Sequence, residues 1–324
     1  MLMPDESFVF PFVSIIIPAK NEERDLSSCL RSLINQSYPA DRFEILLVDN
    51  GSDDETVSIA NSMGIRTLSA EGFKIGGVRN YGAGFASGEI LAYIDADCVA
   101  PKNWLTCGVK LLENNELGAV GGKARVRGNA TWVESAWALP QKRKDLVLTS
   151  ILATGSFFIT KKLFDQIGGF DEEVVAGEDT QISARLIKEG YMLGVSSNLS
   201  VVHLGFPRTI KEFMKRQFWQ SSDYIKTKKS HTDKVFILVH VFTITVFSIP
   251  YFILNDEYLK SICSLSFTVV LALALATYRF YKSAASFDFI YFSQVFFLNY
   301  FYLSARMLGL ASSYKKLFST NFIK

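Results

Sequence analysis

Two aspartates, Asp95 and Asp97, close the stretch "ILAYIDAD", with one alanine between them. The residues before them, Ile90 to Ile94, form a short apolar run without a polar face, the pattern of a buried strand. Burying a lone carboxylate is costly unless something pairs with it. A divalent cation is one such partner. Mg²⁺ and Mn²⁺ prefer oxygen ligands and bind through one or two carboxylates plus substrate phosphates. Cation and diphosphate would together offset the charge. A D-x-D triplet alone is a weak signal, and a turn or capping cluster competes with it; the position at a strand end adds weight. A second acidic pair, Glu178 and Asp179, opens the helical pattern "GEDTQISARLIKEG", whose apolar face is Ile182, Leu186 and Ile187. Acids in a first helical turn also have a purely structural reading.

The elements around these acids alternate. Val13 to Ile17 is a β-rich run that stops at Pro18, and Leu26, Cys29, Leu30, Leu33 and Ile34 follow at helical spacing. "FEILLVDN" reads as a second strand, "DDETVSIANSMG" as a helix, "IRTLS" as a weaker strand and "KIGGVRNYGAGFAS" as a further helix. Strand, helix, strand, helix predicts an α/β fold with a mostly parallel sheet covered on both faces. Ligands of such sheets bind at the carboxyl ends of the strands. Polar residues collect there: Pro18, Lys20, Asn21 and Glu22 after the first strand, Asp49, Asn50 and Gly51 after the second, Asp95 and Asp97 after the fourth. Residues 120–205 are less regular, with a strand at "ATGSFFIT", a short helix at "KKLFDQIGGFDE" and a closing strand at "VSSNLSVVHLG".

The chain has 324 residues, with 34 Lys and Arg against 32 Asp and Glu, so no global charge argues for nucleic acid as a partner. Its four cysteines show no C-x-x-C spacing, consistent with free thiols in a reducing compartment. The N-terminus lacks the basic region of a signal peptide. From Val235 the charges nearly vanish: Val235 to Leu254, Ser261 to Tyr278 and Phe289 to Ala305 are uncharged runs. The first two approach the ~20 apolar residues of a membrane-spanning helix; the third is shorter and contains Gln294 and Asn299. "RTIKEFMKRQFWQSSDYIKTKK" suits a basic amphipathic helix on an anionic membrane surface. Lys226, Lys228, Lys229 and Lys234 before the first span would hold the front region in the cytoplasm. Three spans would then put Lys315, Lys316 and Lys324 outside, against that rule. The expected division is 1–207 as the catalytic domain, 208–232 as an interfacial helix and linker, and 233–324 as a membrane region of two to three helices.

Five stretches, "VSIIIPAKNEE", "LLVDNGSDDET", "GGVRNYGAGFASGE", "YIDADC" and "GGFDE…GED", resemble the successive motifs of family 2 glycosyltransferases with the GT-A fold, over roughly residues 12–205. The resemblance implies a nucleotide-sugar donor. It places Pro18, Asn21 and Glu22 along the nucleotide pocket, Asp49 against the base, and Asn50 where a second aspartate is commoner. Asp53 would open the next helix. Arg79 and Asn80 would lie near nucleotide or sugar, and Arg79 could neutralise phosphate. Asp95 would face the ribose and sugar, and Asp97 would ligate Mg²⁺ or Mn²⁺, with Asp95 and His203 as further candidate ligands. Asp179 would be the general base of an inverting transfer, with Glu178 orienting the acceptor or supporting the site. Gly155, Ser156, Gly168 and Gly169 would let backbone approach sugar and acceptor.

The expected protein is therefore a multi-pass cell-membrane enzyme with a cytoplasmic catalytic domain, acting on a lipid-linked or surface-glycan acceptor. A processive polysaccharide synthase is one alternative, but "KRQFWQ" is not the Q-x-x-R-W order of such enzymes. A metal-dependent nucleotidyltransferase is another, and neither a P-loop nor a glycine-rich loop follows the first strand. A non-catalytic membrane partner would not need the acids at Asp95, Asp97 and Asp179. A dehydrogenase would need a G-x-G-x-x-G at the first helix, which is absent.

Overall fold

The computed structural model describes residues 10–113, 116–140, 144–174, 177–222 and 234–321. Lys226, Lys228, Lys229 and Lys324 lie outside the described residues, as does the side chain of Lys316. Two compact units emerge, Met1–Arg127 with Arg143–Gly205, and Gly128–Lys142 with Phe206–Lys324.

The first unit starts with β1 (Val13–Ala19), α1 (Leu26–Ile34), β2 (Phe43–Asp49), α2 (Thr56–Ser62), β3 (Arg66–Ser69), α3 (Ile75–Phe85) and β4 (Ile90–Ile94). β1 is buried along its whole length, and so is β4. That explains why both read as apolar runs rather than alternating ones: helices cover both faces of the sheet. β1 pairs in parallel with β2 through Ala19 but with β4 only through Ile16. Pro18, which has no N–H, thus lies beyond the β4 ladder. On one face, α3 approaches so closely that a Cβ at Gly82 would stand 2.6 Å from Ile16 Cγ2 and 2.8 Å from Val48 Cγ2.

The chain continues through β5 (Cys98–Val99), α4 (Trp104–Leu112), β6 (Leu117–Gly121) and β7 (Ala124–Arg125). α5 (Trp132–Trp137) belongs to the second unit. The first unit then resumes with β8 (Val147–Thr149), β9 (Ser156–Thr160), α6 (Lys161–Gln166), α7 (Glu178–Lys188), β10 (Met192–Val195) and β11 (Val201–His203). The main sheet runs β3-β2-β1-β4-β9-β6-β10-β8. It is mixed: β3, β2, β1 and β4 are parallel, whereas β9 is antiparallel to both its neighbours and β8 to β10. The expected parallel order therefore holds for the front half, and the back half mixes directions. β5, β11 and β7 make a separate small sheet. The expected closing strand is split in two by a 3₁₀ turn at Ser197–Leu199, so that β10 joins the large sheet and β11 the small one.

In the second unit Thr131 caps α5 in a reciprocal arrangement with Glu134. It also holds α8 (Ile210–Ser221), α9 (Lys234–Leu254), α10 (Tyr258–Lys282) and α11 (Phe289–Asn321). α9 and α10 are long and apolar enough to cross a membrane. Among the described residues these two pass that test, and the third apolar run forms part of the 33-residue α11. Asn299 lies on its buried side and accepts from Arg279 Nη1 at 3.0 Å. The amphipathic α8 turns Phe213, Gln217 and Ser221 inward and packs on α11. Gly309 of α11 admits the contact, since a Cβ there would lie 3.1 Å from Ser221 Cβ.

Candidate active site

The carboxyl ends of β1, β2 and β4 lie side by side because these strands are parallel neighbours. At the end of β1, Asn21 adopts a left-handed conformation (φ 57°). Its N–H donates to Ser52 Oγ at 2.9 Å and its Oδ1 accepts from Asp53 N at 3.0 Å. Glu22 N donates to Thr56 Oγ1 at 2.7 Å. Asn21 thus laces the end of β1 to the turn before α2. Asp49 is buried, and its carboxylate accepts from Gly51 N, Ser52 N and Ser52 Oγ. Asp49 builds the turn that follows β2. Asn50 Nδ2 donates to Phe73 O at 3.0 Å, while its buried Oδ1 has no hydrogen-bond partner.

Glu22 is a strongly perturbed acid. Burial, and then the negative charges of Asp97, Asp25, Asp95 and Asp54, raise its pKa from 4.5 to about 7. Negative charge has therefore accumulated around the β1 and β4 ends.

Arg79, on α3, is buried and forks between two of the acids. Nη2 donates to Asp95 Oδ1 at 2.9 Å and Nη1 to Glu178 Oε1 at 2.8 Å. The guanidinium also lies over the Phe170 ring, 5.7 Å from its centroid. Asp95 and Glu178, far apart in the chain, thus come to one place. The expectation of Arg79 as a phosphate partner did not include this double ion pair. Glu178 Oε2 accepts from Gly177 N, so both of its oxygens are engaged. Asp179, next along α7, is half-exposed and accepts from Thr180 N at 2.6 Å and Thr180 Oγ1 at 3.2 Å. No ion pair involves it among the described residues.

A second cluster surrounds Asp97. β5 and β11 pair antiparallel with Cys98 opposite His203. His203 Nε2 stands 3.6 Å from Asp97 Oδ2. One ligand atom each from Asp95, Asp97, Cys98 and His203 lies within 4.8 Å of the others. Oxygen and imidazole donors that converge this way fit a divalent cation. Gly155 keeps the approach clear: a Cβ there would stand 3.0 Å from Asp95 Oδ2.

Two expected binding residues have other tasks. Ser156 Oγ lies in the core, accepting from Trp104 Nε1 at 2.9 Å and donating to Leu199 O at 2.7 Å, so its hydroxyl is engaged inside the unit. Asn80 binds both backbone groups of Phe170 and the Glu172 carboxylate, which fixes the loop after Gly169. Gly168 and Gly169 have positive φ at the start of that loop.

Comparison with known proteins supports the same reading. The profile described as "Glycosyl transferase family 2" matches residues 14–168. The chain is 29% identical over 218 residues to glycosyltransferase AglE of Haloferax volcanii, covering 64% of this chain and 71% of that protein. It is 27% identical to a beta-monoglucosyldiacylglycerol synthase of Trichormus variabilis, over 66% of this chain but only 49% of the synthase. The mannosyltransferase PcManGT of Pyrobaculum calidifontis, solved with GDP-Man and Mn²⁺, shares the fold with a TM-score of 0.58 at 20% identity, over 95% of this chain and 89% of that one. Residues 14–168 thus match glycosyl transferase family 2, and the α/β unit that carries them has the GT-A fold.

Proposed function

We propose that this glycosyltransferase is an inverting, metal-dependent enzyme that moves a sugar from a nucleotide-sugar donor to a lipid-linked or surface-glycan acceptor. The observation that carries the reading is the convergence of Asp95, Asp97 and His203 beside the Arg79 bridge to Glu178. The structural relative bound to GDP-Man and Mn²⁺ supports a nucleotide-sugar donor and a divalent cation. The relative named for a glucosyldiacylglycerol supports an acceptor at a lipid surface.

In this scheme Asp97, with Asp95 and His203, would hold Mg²⁺ or Mn²⁺, which offsets the charge that grows on the leaving diphosphate. Asn21, Glu22, Asp49 and Asn50 form the wall that takes the nucleotide, and the buried Asn50 Oδ1 is an acceptor there for a base N–H. Arg79 and Glu178 hold Asp95 and the start of α7 in register. Asp179 takes the proton of the acceptor hydroxyl as that oxygen bonds to the anomeric carbon. The bond to the diphosphate breaks on the opposite face, so the anomeric centre inverts.

α9 and α10 supply the membrane attachment, with both spans crossing and the catalytic unit cytoplasmic. Two crossings return the chain to its starting side, so Lys234, Arg279, Lys282 and Lys315 fall together. The three-span conflict with the positive-inside rule then disappears. The test is a screen of nucleotide sugars for turnover by the purified chain in lipid, with Mn²⁺ or a chelator, beside nucleoside triphosphates. Turnover of a nucleotide sugar that the chelator abolishes is expected. Turnover of triphosphates alone would instead establish nucleotidyl transfer.

A further inference from the structure

Cys98 sits inside the proposed cation site yet has no part in the scheme above. The β5–β11 ladder places it directly opposite His203. Facing residues of an antiparallel pair project from the same side of the sheet. Its thiol donates to Asp97 Oδ1 at 3.7 Å. Gly155 closes the same side, with Cys98 Sγ 3.8 Å from where its Cβ would be. The sulfur therefore belongs to the wall of the site, and it converges with the two carboxylates and the imidazole to within 4.8 Å.

This donor set differs from one made of oxygen and nitrogen alone. Mg²⁺ gains nothing from sulfur, whereas Zn²⁺, Cd²⁺ and Co²⁺ bind thiolate well. A tetrahedral Zn²⁺ with bonds of about 2.0–2.3 Å needs donors about 3.3–3.8 Å apart, so the four groups need to close by about an ångström. Four protein donors also leave no open position, which is the arrangement of a structural rather than a catalytic zinc site.

We propose that Cys98, with Asp95, Asp97 and His203, makes this a mixed oxygen, nitrogen and sulfur site that captures thiophilic divalent cations before any nucleotide binds. The thiol proton passes to solvent on capture. Such a cation fills the positions that the diphosphate would need, and so it competes with the ion used in transfer. The proposal rests on the reading of Asp95, Asp97 and His203 as cation-holding residues.

The test titrates the full chain with Co²⁺ or Cd²⁺ alone and follows thiolate-to-metal charge-transfer absorption. Mn²⁺ binding is measured on the same preparations, with a nucleoside diphosphate present, by loss of the free-ion EPR signal. The wild type is expected to give a saturable band. Cys98→Ser abolishes it, Cys107→Ser keeps it, and Asp97→Asn weakens Co²⁺ binding by about tenfold or more. Mn²⁺ binding to Cys98→Ser stays within about threefold of wild type, since Mn²⁺ has little use for sulfur. Cys98→Ala, which removes sulfur without burying a hydroxyl, must behave as Cys98→Ser does. Mn²⁺ binding without a charge-transfer band in the wild type would overturn this proposal and leave the transfer mechanism standing, as would a band that survives both Cys98 variants. Failure to bind either metal would overturn both.

Discussion

Arg79 joins residues that the chain keeps far apart, and its side chain is only 4% exposed. Arg79→Met would leave Glu178 and Asp95 facing each other with no cation between them. A loss of about 3–5 kcal/mol is expected in urea unfolding, the range for breaking a buried ion pair from one side. Arg79→Lys should recover little, because one ammonium cannot fork to two carboxylates in this geometry. Glu22 has the opposite character. Its folded pKa, about 7, lies above the unfolded 4.5, so the folded protein holds this proton more tightly. Below 4.5 both states are protonated and the group makes no difference. As pH rises from 4.5 towards 7 the unfolded state ionises first and stability falls. Thermal melts should show that decline flattened in Glu22→Gln, with the variant more stable than wild type above pH 7. Mn²⁺ should also flatten it in the wild type, because Asp97 and Asp95 contribute to the shift. A parallel decline in wild type and Glu22→Gln would show that another group is responsible.

At the scale of elements, β11 depends on one glycine. A Cβ at Gly122 would overlap the Leu199 carbonyl and lie 2.5 Å from Ser200 N, so only glycine lets the chain pass on its way to His203. Gly122→Ala should cost about 1–3 kcal/mol through overpacking and should weaken Mn²⁺ binding as His203 shifts. Unchanged unfolding and unchanged binding would show that the segment can relax. The front half of the sheet was legible in the sequence because each strand there is a local apolar run ending in polar residues. Ile90 to Ile94 followed by Asp95 and Asp97 carried that signal most clearly. The small sheet was not legible. β5 and β7 are two residues each, and the pairing of Cys98 with His203 is fixed by tertiary contacts rather than by local propensity. For the same reason the sequence shows Cys98 only as one of four cysteines without C-x-x-C spacing. Ser156 was expected to matter for close backbone approach, and the strand pattern alone does not show that Trp104 and Leu199 engage its hydroxyl inside the unit.

At the scale of the whole chain, the sequence shows the apolarity of Phe289 to Ala305 without showing that Asn299 is buried against Arg279. The two crossings proposed for α9 and α10 have a testable consequence. In a Cys263→Ser background, Asp256→Cys between α9 and α10 should react with an impermeant maleimide in intact cells, and Ala284→Cys only after permeabilisation. The reverse pattern would place the catalytic unit on the outside. Activity itself bears most directly on the central claim, that these acids hold a donor and deprotonate an acceptor. Donor binding and sugar transfer should be measured with Mn²⁺ on wild type, Asp97→Ala and Asp179→Asn. Asp97→Ala is expected to lose donor binding and transfer together. Asp179→Asn should bind donor as wild type does and lose transfer by about 10²–10⁴-fold. Wild-type transfer rates in both variants would contradict the account.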